Sequence, residues 1–360
     1  MRLALLGPVA WRTPPRHYGP WERVTGLLAD GLAARGVDVT LFATLDSITL
    51  AHLDGVCERP YEEDGGIDGR IWEALHVAHA LGRSADFDLI HNHLDWLPLA
   101  FAGLSRAPMV TTIHGFSSPR ILPAYQRSRS AFVSISDADR APALDYVATV
   151  HHGVDVSELH FSPGGGDGLV CFGRIHPDKG TAEAIAIASR AGRRLVLCGP
   201  VQDERYFEEE VAPHVDGDAV RYAGSVGPRE RAEVLGAAAS LLHPVAFAEP
   251  FGLSVVESLA TGTPVIAYPL GSMPEIIRPG RTGFLVDDLT GAVAAVGEVA
   301  ALSRRHCRDD VEERFTAARM VADYAELFAR VVAGGPSAAN RSRSIGSATR
   351  ANRTDASLAP

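Results

Sequence analysis

Two glutamates, Glu249 and Glu257, bracket the stretch EPFGLSVVE. Paired carboxylates can act on one bond as acid and base, or can hold two different parts of one ligand. Spacing separates the two. If Leu253 to Ala260 is helical, eight residues set the acids about 12 Å apart along the axis, and an extended start to the segment only lengthens that. Carboxylates that hydrolyse a glycosidic bond stand roughly 5 to 9.5 Å apart. The pair suits an elongated ligand instead. Backbone amides around Phe251, Gly252 and Leu253 can meet a phosphate, with Gly252 allowing close approach and one carboxylate reaching hydroxyls on each side. The plain alternative is a solvent-facing Glu249 and a helix-face Glu257.

A second stretch, GRIHPDKG, carries Arg174 and Lys179 between Gly173 and Gly180. Of 34 basic residues, Lys179 is the one lysine, in a chain that otherwise writes every cation as arginine. Both cations follow a strand-like run, and a helix is expected to begin near Asp178. Cations at such a junction can hold a diphosphate, aided by the helix N-terminal dipole. The stretch is not a P-loop, whose lysine follows G-x-x-x-x-G directly; two solvated surface cations are the competing reading.

Histidines offer less. HNHLD places His91, His93 and Asp95 at alternate positions, resembling metal ligands. No second His/Asp cluster completes a site, so no metal is expected. His151 and His152 read as hinge or cleft-wall residues, and His114 by itself as a core histidine at a strand end.

The elements that must position these residues alternate in type. RLALLG precedes the amphipathic WERVTGLLADGLAARG and then VDVTLFA, and the alternation continues through FDLIHNH, APMVTTIHG, SAFVSIS and DYVATVHHGVD. Strands alternating with helices imply parallel sheets with right-handed crossovers. The pattern lapses at VSELHFSPGGGDG and starts again at LVCFGR. The expected organisation is an N-terminal Rossmann-like domain over 1–155, a linker over 156–168 and a second such domain over 169–310. A C-terminal helix near 311–332 is expected to pack back on the first domain. Ligands of doubly wound sheets bind beyond the carboxyl ends of the strands, so the cleft between the domains is the natural site.

Composition bounds the function. The 360 residues are 46% apolar and 22% charged, ordinary for a soluble chain with two cores. Four scattered cysteines without C-x-x-C spacing suit a reducing cytoplasm. The start MRLALLGPVAW is broken by Gly7 and Pro8 and reads as a buried strand rather than a signal sequence. The net charge of −10 argues against nucleic acid as a partner. Residues 333–360 hold four arginines, one aspartate and no aromatic residue, and read as a disordered tail.

Taken together, GRIHPDKG, EPFGLSVVESLATGTPVIA and GSMPEIIRPGRTGFLV resemble the retaining glycosyltransferases of family 4. In the N-terminal half HYGPWERVTGLLADGLAARGVDVTLFA, FDLIHNHLDW, TTIHGFSS, SISD and HHGVD fall in that family's order, so the resemblance spans residues 1 to 332. It implies an α/β fold of GT-B type, two Rossmann-like doubly wound parallel-sheet domains facing a central cleft. The implied reaction moves a hexosyl group from a nucleoside-diphosphate sugar to a hydroxyl acceptor, with retention by front-face attack, no cofactor and no metal. By the same resemblance Arg174 and Lys179 would neutralise the leaving diphosphate and Glu257 would hold the ribose. Glu249 and His114 would approach the donor sugar, Phe251 to Ser254 would offer backbone contacts, and Gly19 would sit where the first domain meets phosphate and acceptor.

Two positions depart from the family pattern. Pro20 follows Gly19 where a second glycine is usual, which removes an N–H from that loop. His152 stands where asparagine commonly precedes Gly-Val-Asp. Both lie on the acceptor side or at the hinge, leaving acceptor identity open among a small metabolite, a glycan and a lipid-linked molecule. The arginines of PRILPAYQRSR are ordinary solvated charges in the simplest reading, with peripheral membrane contact as the alternative. A nucleotide-sugar 2-epimerase of the same architecture would need further acid/base carboxylates that have no evident place here, and a silent sugar-nucleotide binder would share the donor residues. A dinucleotide oxidoreductase would need G-x-G-x-x-G, which LLGPVAWRTP lacks.

Overall fold

The structure is a computed structural model, and residues 1–115 and 118–334 are described. The expected disordered tail therefore lies almost wholly outside the described residues, as do Phe116 and Ser117 of the TTIHGFSS motif.

The first sheet has seven strands: β1 (Arg2–Leu6), β2 (Asp38–Phe42), β3 (His52–Asp54), β4 (Leu89–Asn92), β5 (Met109–Ile113), β6 (Ala131–Ser134) and β7 (Tyr146–Thr149). They lie in the order β3-β2-β1-β4-β5-β6-β7, with every pairing parallel. The second sheet has six: β8 (Leu169–Phe172), β9 (Leu195–Cys198), β10 (Val220–Tyr222), β11 (Ser240–His243), β12 (Val265–Ala267) and β13 (Gly283–Leu285). Its order is β10-β9-β8-β11-β12-β13, again all parallel. Central strands such as β4, β5, β6 and β11 are buried along their whole length, as parallel strands covered on both faces must be.

Strand order reverses between β1 and β4 in one sheet and between β8 and β11 in the other. Those switch points are where loops splay apart and leave a crevice at the carboxyl ends. The loops after β1, β4, β8 and β11 carry Gly19, Asp95, Arg174 and Glu249, so topology alone brings the chemistry of both halves to one cleft.

The helix Ala317–Gly334 crosses back to the first domain. Met320, Tyr324, Leu327, Phe328 and Val331 recur at helical spacing and are buried against Val24, Leu28 and Leu32 of the helix Pro20–Ala34. The preceding helix, Arg304–Arg314, stays with the second domain, where Cys307 and Val311 join the core around Val255 and Leu259. The domains also meet directly: Ser136 Oγ donates to the Pro250 carbonyl at 2.7 Å, and Glu275 accepts from the amides of Asp137 and Ala138 at 3.0 and 2.6 Å. Among the described residues no helix is long and apolar enough to cross a membrane.

Candidate functional site

A cavity of about 620 Å³ lies between the domains, within the size range of small-molecule sites. Gly19, His114, Gly173, Arg174, Lys179, Glu249, Phe251, Gly252, Leu253, Ser254 and Glu257 all line it. Residues nominated from four separate stretches of sequence therefore converge on one space.

The second domain supplies its charged wall. After β8 the chain makes a single 3-10 turn, Pro177–Lys179, and the helix starts only at Thr181, later than the sequence suggests. Gly180 causes the break. Its φ of 70° is left-handed, and a Cβ there would stand 2.0 Å from the Pro244 carbonyl oxygen. The turn aims Lys179 Nζ at Glu249 Oε2, 2.5 Å away, and over the Phe247 ring at 4.6 Å. Arg174 is held by Asp178 Oδ2 at 2.8 Å and by the Gln202 side chain.

Burial by itself would push the Glu249 carboxyl up, but His243, 3.5 Å from the same oxygen, and Lys179 bring it down to about 2. Glu249 is thus a fixed anion beneath a cation. The helix Leu253–Ala260 begins where the sequence suggests, capped by Gly252 with φ 80°; a Cβ there would lie 2.6 Å from Met273 Cε. One turn in, Glu257 is 3% exposed. Its Oε1 meets Arg231 Nη1 at 3.0 Å and Arg23 Nε at 3.6 Å, whereas Oε2 takes no hydrogen bond from another described residue. Arg231 also donates to the His17 carbonyl at 2.9 Å, tying the walls together.

The first domain supplies a different wall. Gly19 precedes the helix Pro20–Ala34 and Pro20 takes its first position, where the missing N–H costs no helical bond. Glu22, in the first turn, is 3% exposed, and burial pushes its carboxyl up to about 7. Glu73 and Asp95 are also raised by burial, against hydrogen bonds from Tyr61 and Tyr125 respectively.

The histidines form a chain. His91 Nε2 meets Thr112 Oγ1 at 2.8 Å and His91 Nδ1 meets His93 Nε2 at 3.1 Å. His93 Nδ1 meets His114 Nε2 at 2.9 Å, and His114 Nδ1 meets His152 Nε2 at 3.2 Å. Burial holds all four well below the usual imidazole range, His114 at about 3, so the chain is neutral. His114 lines the cavity with both ring nitrogens already engaged and its ring stacked on Trp21 at 5.0 Å. His91 and His93 bond to rings, while Asp95 turns to Tyr125; the three do not converge on a common point as metal ligands would.

Several site residues escaped the sequence reading. Arg231 sits four residues before the buried Leu235, so helical spacing could have put it on the inner face. Arg23 lies in the WER stretch, close to Gly19. Nothing in the sequence marks His243 or the carboxyls of Glu22 and Glu73.

Two family models match the chain: Glycosyltransferase Family 4 over residues 21–158 and Glycosyl transferases group 1 over residues 166–302. An alpha-maltose-1-phosphate synthase of Mycolicibacterium smegmatis is 33% identical over 324 residues, covering 76% of this chain and 82% of that protein. A glycogen synthase of Mycobacterium tuberculosis is 28% identical, covering 82% and 87%. Among solved structures AviGT4, a glycosyltransferase involved in avilamycin A biosynthesis, superposes with a TM-score of 0.73 at 24% identity over 93% of this chain and 98% of its own.

Proposed function

The chain belongs to glycosyltransferase family 4, with the two-sheet GT-B fold of nucleotide-sugar-using enzymes, and from that premise we propose that it transfers a hexosyl group with retention from a nucleoside-diphosphate sugar to an acceptor hydroxyl. The observation that carries this reading is the pairing of Lys179 and Arg174 with the wall from Glu249 to Glu257 around one cavity.

In this reading the diphosphate lies against Arg174 and Lys179 and the amides at the start of the helix Leu253–Ala260, and displaces the Lys179–Glu249 contact. Glu249 is freed to accept from sugar hydroxyls, and Glu257 Oε2 accepts from the ribose. As the bond between the anomeric carbon and the diphosphate oxygen breaks, negative charge grows on the leaving group and the two cations stabilise it. The acceptor oxygen bonds to the anomeric carbon from the same face, and its proton passes to the departing phosphate oxygen. Cations fixed in the wall supply what a metal would, so a chelator should leave turnover unchanged. His114, with both nitrogens engaged, would meet the sugar through its ring edge and main chain.

The test is thermal stabilisation by UDP, GDP and ADP of wild type, Lys179→Ala and Glu257→Ala. At about a hundredfold excess over Kd a bound ligand adds roughly 2.7 kcal/mol. One diphosphate should stabilise wild type, and both folded variants should respond less. Variants that respond like wild type would remove the site assignment.

A further inference from the structure

The charges lining the cleft are unevenly divided. The second domain contributes Arg174, Lys179 and Arg231 beside its two glutamates. The first contributes Glu22, Glu73 and Asp95, with Arg23 as its one arginine. That arginine is already committed: it holds Glu158 at 3.0 Å and reaches across to Glu257 at 3.6 Å. His114 and His152 are kept neutral by burial, which leaves the exposed His17 as the one further imidazole lining this wall. The first-domain wall therefore offers no uncommitted arginine or lysine among the described residues.

Aromatic rings stand among these carboxyls, with prolines and leucines beside them. Trp11 and Tyr18 stand edge-on at 6.3 Å, and Trp96 lies at the cavity rim with 41% of its surface exposed. The wall is also held in place. Asp95 keeps a left-handed φ of 55° through a hydrogen bond from Asn92 to its carbonyl at 3.0 Å and one from Tyr125 to its carboxylate. Glu73 accepts from Tyr61 Oη at 2.9 Å. Glu22 accepts from the Trp11 amide at 3.2 Å through Oε1, and its Oε2, in a nine-tenths buried side chain on the cavity, takes no hydrogen bond from another described residue.

We propose that this wall is an acceptor subsite for an uncharged carbohydrate, which it holds by ring faces and carboxyl oxygens, and that it rejects acceptors bearing phosphate. The inference rests on the glycosyl-transfer reading above and adds to it the chemical class of the acceptor. Carboxylates only accept hydrogen bonds, and a sugar presents hydroxyl donors to them while its C–H faces lie on aromatic rings. A phosphate would bring two negative charges among three carboxyls, and even when protonated these offer it no positive charge. The arginines of the segment 119–129 do not answer the need, since none of them lines the cavity.

The experiment is a tryptophan-fluorescence titration of the full chain, saturated with whichever nucleoside diphosphate stabilises it. The probes are matched pairs: maltose and maltose 1-phosphate, glucose and glucose 1-phosphate, myo-inositol and myo-inositol 1-phosphate. At least one neutral member should bind about tenfold or more tighter than its phosphorylated counterpart, as like-charge juxtaposition requires, and the same neutral sugar should accept glycosyl groups. Trp96→Ala should weaken that sugar several-fold, and Glu73→Lys should narrow or invert the preference within the pair. Phosphorylated members that bind as well as or better than their partners overturn the inference, and so does a panel in which no neutral sugar binds. Failure of every nucleoside diphosphate to bind removes the transfer reading, and this inference with it. Nucleotide binding without the neutral-sugar preference removes this inference alone.

Discussion

The two walls of the cleft are built alike and charged differently. Each is the carboxyl edge of a parallel sheet at its switch point, yet one gathers Arg174, Lys179 and Arg231 and the other Glu22, Glu73 and Asp95 among aromatic rings. Because the strand order is equivalent, the contrast comes from the loops and helix faces that rim the sheets: Asp95 and Arg174 from loops, Lys179 from a 3-10 turn, and Glu22, Glu73 and Arg231 from helices. On the cationic wall each charge already has a partner, Lys179 with Glu249, Arg174 with Asp178 and Arg231 with Glu257, so an incoming anion exchanges one set of ion pairs for another. On the acidic wall Glu22 is buried and Glu73 and Asp95 are half-buried, none with a cation partner among the described residues, and burial raises all three. A fold fixes where ligands bind, and the side chains at the rim decide which ones.

The strongest way to break the contrast is to remove the cation that faces the leaving group. Lys179→Ala should lower kcat by roughly 10² to 10³, the loss typical of one preorganised transition-state contact. It also strands Glu249 with only His243 beside it. Glu249→Gln in the same chain should restore thermal stability without restoring turnover. Steady-state rates at saturating donor check this, and a kcat within a few-fold of wild type would show that Lys179 does not face the departing charge.

Next is Glu257→Gln. Hydrogen bonds to a charged group are worth roughly 1.5–3 kcal/mol, which places the rise in donor KM at about ten- to a hundredfold. If Glu257 grips the nucleotide equally in ground and transition states, kcat should barely move. A fall in kcat at constant KM would move Glu257 from binding to chemistry.

The site was legible in the sequence where its residues are contiguous. GRIHPDKG and EPFGLSVVE each carry several of their functional groups within nine residues, and the single lysine stands out by contrast with 33 arginines. Arg231, His243 and Arg23 reach the same space one at a time, from a helix, a strand end and the other domain, and only Arg231, four residues before the buried Leu235, has a spacing that points it inward. The fold was legible for a different reason: strand runs and amphipathic helices have periods that single residues do not. His91 and His93 show the limit of spacing arguments. Alternation on a strand correctly puts them on one face, but the neighbours that make them a hydrogen-bonded chain, His114 and His152, come from other strand ends.

A smaller effect sharpens the acidic wall. Glu22 has a folded value of about 7 against 4.5 for an unperturbed glutamate. Between those limits the folded chain keeps a proton that the unfolded chain has released, so stability falls as pH rises through the window and the penalty is complete above pH 7. Glu22→Gln should therefore raise stability at pH 8 by roughly 1–3 kcal/mol and change little at pH 4 to 5. Thermal midpoints of both proteins across that range decide it. Parallel curves would mean that Glu22 keeps its charge in the cleft.

The smallest expected effect tests whether the histidine chain serves the acidic wall or only props it. At its inner end Tyr324, from the helix that crosses back from the second domain, meets Thr112 Oγ1 at 2.7 Å, and Thr112 meets His91. At its outer end His152 Nδ1 is buried without a hydrogen-bond partner among the described residues. A chain that ends in a buried hydroxyl has no outlet for a proton. Its role is then to fix the orientation of His114 behind Trp21. Tyr324→Phe should cost about 1 kcal/mol of stability, the net worth of one hydrogen bond. The cost should be the same from pH 5 to 8, because the rings stay neutral throughout, and kcat/KM should remain within about twofold, under 0.5 kcal/mol. A tenfold loss of activity with unchanged stability would instead couple the chain to the reaction, and the contrast between a chemical wall and a binding wall would fail at its most buried point.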